Sequence, residues 1–253
     1  MIKFRINAAM LLLSAVCFIS SCTPYYYAPV TQNMPLHREK NEFNATVSTG
    51  DMFAFSASYS PGNHVALLGS FGSLKAAGES DVSFASYSYT SSIRNYEFGG
   101  GYFKALGENG SFEIYGLGGG GKVKIDDEYF YYDERIGYYK FALQPSIGVK
   151  NEWLEVGFCP KFTYLYFTNY HSDYFSQFNA EQTILEQLNN DGGRFVFEPA
   201  VMARIGFEHV KLFGLVCIPY SMENDYFQEH IYPWNIAIGI TASFSTKKKT
   251  SNQ

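Results

Sequence analysis

The residues that could do chemistry in this chain of 253 begin with seven charges set inside otherwise apolar segments. They are Glu97, Glu113, Lys140, Glu155, Lys161, Glu198 and Arg204, and Lys211 joins them. On one shared face, mixed signs form either a structural plug of ion pairs or a charged path for a small solute. Isolated buried charges are costly, so pairing is expected. A second set is His171, Ser172 and Asp173, the residue types of a hydrolytic triad. Triads are defined by geometry, and adjacent residues seldom converge on one reacting atom, so a polar loop is the better reading. His64, His209 and His230 show no metal-ligand spacing. The Gly118–Gly121 run follows a strand but opens no helix, so it does not read as a phosphate cradle. No catalytic residue, cofactor or metal is expected.

Those charges are positioned by about ten segments of period-two alternation. In the last, Trp234, Ile236, Ile238, Ile240, Ala242 and Phe244 share one face, while Asn235, Ala237, Gly239, Thr241 and Ser243 share the other. Around Tyr138–Lys150 and Trp153–Phe167, aromatic and branched residues again oppose Lys140, Gln144, Glu155 and Lys161. Short turns at 61–63, 106–110, 151–152 and 209 alternate with long connections near 74–93, 126–137, 168–193 and 221–233. Only the first hairpin, with its tight Gly50-Asp51 turn, breaks the scheme. A soluble barrel has no reason to sort long connections to one end. A transmembrane barrel does, and its lipid-facing and lumen-facing residues alternate. The expected fold is all-β: a single antiparallel up-and-down transmembrane β-barrel of about ten strands, with one short helix in the outer loop 168–193 from Phe178, Ile184, Leu185 and Leu188.

Residues 1–21 read as a signal peptide, with Lys3 and Arg5 ahead of an apolar run too short to span comfortably. Its ending, Ile19-Ser20-Ser21-Cys22, resembles a lipobox, which implies cleavage before Cys22 and acylation (palmitate among the chains) of that cysteine. Residues 22–41 read as a Pro-rich periplasmic linker, 42–246 as the barrel and 247–253 as a basic tail. The 21 Tyr and 23 Phe suit strands with an apolar face. A net charge of −5, with no basic stripe along the chain, argues against nucleic acid. Cys159 and Cys217 sit in separate strands, and nothing in their spacing requires a disulfide. The ninth segment, VKLFGLVCIPY, is apolar on both faces, so its register is open. Lys122 and Lys124 fall on the apolar parity, which calls for a bulge or for strand that has cleared the apolar band.

The chain resembles a family of small outer-membrane β-barrel lipoproteins of Bacteroidota-type bacteria. The likeness lies in SCTPYYYAP, QNMPLHREKNE, FEIYGLGGG, FALQPSIGVK and FVFEPAVMARIGFEHVK, across essentially the whole mature chain. It implies fold and location and brings no catalytic residues. The combined expectation is a non-enzymatic, lipid-anchored cell-outer-membrane barrel with both termini periplasmic and Cys22 lipidated in the inner leaflet of the outer membrane. Outer-membrane lipid is one expected partner, and a protein or glycan at the outer loops another, with oligomeric state open. Inward Gly99, Gly101, Gly148, Gly157 and Gly239 leave room for the alternative, a narrow pore or small-solute binder. An outer-loop hydrolase is the third class.

Overall fold

The computed structural model describes residues 25–82, 85–127, 132–172, 184–223 and 226–245. Its strands are β1 (Glu42–Gly50), β2 (Phe53–Tyr59), β3 (Val65–Val82), β4 (Ala85–Leu106), β5 (Gly110–Asp127), β6 (Tyr132–Lys150), β7 (Leu154–Ser172), β8 (Gly193–Gly206), β9 (Val210–Cys217), β10 (Tyr220–Ser221) and β11 (Asn235–Ser245). Helix α1 (Ile184–Asp191) precedes β8, and a 3₁₀ turn spans Tyr226–His230. Neighbours pair antiparallel from β1 to β9, and β11 lies between β9 and β1. Ten strands therefore close a barrel and β10 is extra. Pro219 has no amide to donate, so it breaks what would be one long strand. Ile218 still donates to the Pro199 carbonyl (3.1 Å), and Tyr220–Ser221 resume pairing on β8.

The apolar faces point outward. Ile238 is 65% exposed, Phe141 65% and Phe98 67%, with Phe162 and Val201 on the same outer wall. Inside stand Glu97, Lys140, Glu155, Lys161, Glu198, Arg204 and Thr241, all buried. On β6 the outward residues from Tyr139 to Val149 span ten steps; at ~3.4 Å per step and a tilt of ~40–45° they make a band about 25 Å tall. Among the described residues, no helix is long and apolar enough to cross a membrane.

Two long connections expected as loops are strand instead. β3 and β4 pair without interruption from Val65↔Tyr102 to Val82↔Ala85, and β5 and β6 pair out to Asp127↔Tyr132. Strands of 18–22 residues are about twice the roughly 9–11 needed for a tilted crossing. The alternation of short and long connections survives as a wall that stands tall at one end. The parity of Lys122 and Lys124 has the same cause. β5 stays in register with both neighbours through them, so no bulge switches faces and the strand has run past the apolar band. A register shift does occur on β6, between Arg135 and Gly137.

The largest departure concerns residues 25–38, expected as a linker. They are extended, but they run inside the barrel. Tyr27, Val30, Met34, Leu36 and His37 have no exposed surface. Their contacts descend the wall in order, with Tyr27 against Tyr138, Asn33 against Gln144 and Leu36 against Gly148. At one end the Tyr25 amide meets Ser91 Oγ and the Tyr26 amide the His230 carbonyl. At the other His37 lies against Ser58, Phe103 and Ser111. The chain therefore enters at the long-connection end, crosses the lumen and turns at Asn41 (φ 63°) into β1. Tyr25 sits at the opposite end from the one expected for the N-terminus.

Candidate functional site

The barrel interior is the candidate site, and the threaded segment defines it. Eight strands enclose just enough space for their own side chains, so two more leave width for one extended chain. Such a chain must have its backbone groups satisfied. The wall supplies the partners from inward Asn, Gln, Ser and Glu positions. Asn95 Nδ2 donates to the Ala28 carbonyl at 2.8 Å, Asn235 Nδ2 to Pro29 at 2.8 Å and Gln144 Nε2 to Asn33 at 2.8 Å. Ser111 Oγ donates to the His37 carbonyl (2.7 Å), and Gln32 Nε2 reaches out to the Glu198 carbonyl (2.7 Å). Pro29 and Pro35 suit this segment because they favour extended backbone and bring no amide to satisfy.

Glu113 shows how closely wall and segment are matched. Its two carboxylate oxygens accept the successive amides of Leu36 (3.0 Å) and His37 (2.7 Å). Leu36 is held at φ 55°, which turns the two N–H groups toward one anion. A non-glycine residue there costs about 1 kcal/mol or more, and charge-assisted bonds of about 1.5–3 kcal/mol each offset it. Tyr115 and Ser146 hydroxyls complete the carboxylate's shell.

The remaining inward charges form two groups. In the first, Glu97 accepts from Lys161 at 2.8 Å and lies 2.8 Å from Lys140 Nζ. Lys161 also stands 3.6 Å from Glu198, which accepts the Tyr27 hydroxyl at 2.6 Å. In the second, Glu155 binds Arg204 and Lys211, both at 2.8 Å, and Arg204 donates to Asn33 Oδ1 at 2.6 Å. The expected mixed-sign pairing is present for six of the seven charges named from sequence. Glu113 differs, since its partners are backbone amides of the threaded segment and not a cation. Near the short turns, Glu42 pairs with Lys150 (2.8 Å) and lies 3.4 Å from His37.

Between the charged groups the interior is apolar. Met34 and Leu36 pack with Cys159, Ala200, Met202, Phe213, Leu215 and Cys217. This settles the ninth strand: Lys211, Phe213, Leu215 and Cys217 face in, and Val210, Leu212 and Val216 face out. It is greasy on both faces because its inner face meets greasy residues of the segment. Cys159 and Cys217 are free and buried. Both register with Ala200 from opposite sides, two strand spacings apart at ~4.8 Å each, too far to bridge. The inward glycines are used as well. A Cβ at Gly157 would lie 2.9 Å from Met34 Sδ, and one at Gly148 would lie 2.8 Å from Leu36 Cδ2. Gly99, Gly101 and Gly239 instead lie where neighbouring backbone approaches closely.

Sequence reasoning found the wall's charges and missed their partners Tyr27, Gln32, Asn33 and His37. A signal was present. YYYAPVTQNMPL is richer in aromatic and aliphatic residues than a solvated linker needs. His171 stands exposed on β7 opposite Arg135, and Asp173 lies outside the described residues, as do Phe178, residues 1–24 including Cys22, and the tail 246–253. His64, His209 and His230 are separate, His230 stacking on Tyr26 at 4.5 Å. Among the described residues, no cluster of His, Cys, Asp and Glu could hold a metal ion. A vestibule of about 620 Å³ opens at the short-turn end beside Arg38, Glu42, Lys150 and Lys211. No protein-family model matches the chain, and no curated protein matches it either.

Proposed function

We propose that this chain is a lipid-anchored outer-membrane β-barrel sealed by its own N-terminal segment, with a structural or interaction role carried by its long-connection end. The observation that carries the reading is an apolar outer wall about 25 Å tall around an interior in which Glu97, Glu113, Lys161, Glu155 and Arg204 are buried and paired or hydrogen-bonded. In water such a wall would expose far more contiguous apolar surface than soluble monomers tolerate. Its height is that of a bilayer's apolar band. The pore alternative loses ground to residues 25–38, which occupy the path a solute would take.

The lipid anchor belongs at the same end as the tall wall. Cys22 precedes Tyr25 by three residues, a reach of at most ~11 Å, and Tyr25 lies beside Ser91 and Tyr232 at the long-connection end. With the short turns facing the periplasm, the acyl chains would enter the outer leaflet and not the inner one. Two or more chains on one cysteine hold stably.

Carbonate washing of membranes carrying a Cys22→Ser variant tests the barrel itself. An embedded barrel stays with the membranes and migrates faster on gels when unheated; a variant that washes free overturns the reading. Epitope tags test the threading on intact cells. One at Thr23 and one near Tyr129 are both expected to be reached by antibody, with one at Gly107 reached only after lysis. A Thr23 tag hidden while the Tyr129 tag is reached would place the anchor in the inner leaflet instead.

A further inference from the structure

Outward residues of β3–β7 form rows across the wall, and their chemistry changes abruptly toward the long-connection end. One register row reads Phe71, Tyr96, Gly120, Tyr139 and Tyr166, the amphipathic ring that marks a membrane–water boundary. The next reads Ser73, Arg94, Lys122, Gly137 and Thr168, and the one beyond it Lys75, Ser92, Lys124, Arg135 and His171. Arg94 faces Lys122 directly, and Lys124 faces Arg135. Like charges set opposite each other on a sheet destabilise it, so such pairs call for an anion between them. Lys124 has one in Asp126 at 2.5 Å. Among the described residues, Arg94 and Lys122 have no acidic partner.

The surface there is hollowed. A groove of about 700 Å³ runs past Arg94, Lys122, Lys124, Arg135 and His171. It adjoins a hollow of about 320 Å³ that shares Arg94 and Lys122 and reaches Phe71, Tyr96 and Tyr139. Gly137 and Asn169 line both hollows as well. The shared groove is cationic at the far end and aromatic toward the apolar band, which is the polarity of a lipid with an anionic head.

We propose that this outer face of β3–β7 binds a phosphate-bearing lipid of the leaflet at the long-connection end, with its phosphate between Arg94 and Lys122 and its acyl chains along the tyrosine row. Charge complementarity selects the phosphate, and continuity with the aromatic row selects a lipid over a soluble anion. The inference rests on the membrane reading above.

The test is native mass spectrometry of the full chain in neutral detergent, titrated with diphosphorylated lipid A, its dephosphorylated form, or inorganic phosphate. Wild type and a Lys104→Ser control at the short-turn end should bind the diphosphorylated lipid alike. An Arg94→Ser, Lys122→Ser variant should bind it roughly tenfold more weakly, as expected for the loss of two solvent-exposed charge contacts. Both substitutions are on the exposed wall, and unheated gel migration checks that the variant folds. Unchanged affinity in the double variant overturns the proposal, as does equal binding of the dephosphorylated lipid. Displacement of the lipid by an equal concentration of inorganic phosphate overturns the lipid assignment. Failure of the membrane reading would appear separately, as wild type released by carbonate.

Discussion

The two faces of the same strands obey different rules. Outward, Ile236, Ile238 and Ile240 of β11 need only be apolar on the proposed membrane reading, because lipid has no fixed shape. Inward, Asn235 and Thr241 of that strand have named partners, the Pro29 carbonyl at 2.8 Å and the Thr46 hydroxyl at 2.8 Å. One face is specified by composition and the other by pairing. Substitutions that conserve character should therefore be cheap outside and expensive inside.

Removing the threaded segment breaks the comparison most completely. Deleting residues 26–37 strips partners from Glu113, Glu198 and Arg204 at once. The expected outcome is loss of the fast-migrating unheated form or, where the barrel still closes, stepwise current in planar bilayers from a wild type that is silent. A folded deletion variant that stays silent would show that the wall seals itself. Next in size, Glu97→Gln leaves Lys140 and Lys161 facing each other without their carboxylate. It should cost about 3–5 kcal/mol in urea unfolding from lipid vesicles.

On the outer face Ile238→Arg should cost about 2–4 kcal/mol near the middle of the band, whereas Ile238→Leu should cost well under ~1.5. Equal costs for the two would mean that Ile238 does not face hydrocarbon. Tyr27→Phe is the finest probe of the inside. It keeps the ring against Tyr138 and removes only the 2.6 Å bond to Glu198, for an expected loss of about 1.5–3 kcal/mol. A change below ~0.5 kcal/mol would mean that the segment is held by packing and not by its hydrogen bonds.

The outer wall and the inner wall were also unequally legible in the sequence. Alternation marked nearly every strand and assigned the inward side of Glu97, Lys140, Glu155, Lys161, Glu198 and Arg204. It failed at β9, where both faces are apolar, and at the outer ends of β3–β6, where Ser- and Tyr-rich stretches read as loop. It had nothing to register in residues 25–38, because a lone extended chain surrounded on all sides has no solvent face and hence no period. Lys75, Arg94, the Lys122–Lys124 pair and Arg135 come from four different strands, so their meeting on one patch was equally invisible there.

By itself the sequence determined a barrel of about ten strands and which side chains face in on every strand with one apolar face, because strand geometry forces a two-residue period on any wall between two environments. Only the tertiary structure decided what fills the lumen, at which end the N-terminal segment emerges and which cations share a surface. Those follow from closure and register between strands distant in sequence. A pattern along one strand fixes which way its side chains point, but not which distant strand or segment lies across from them.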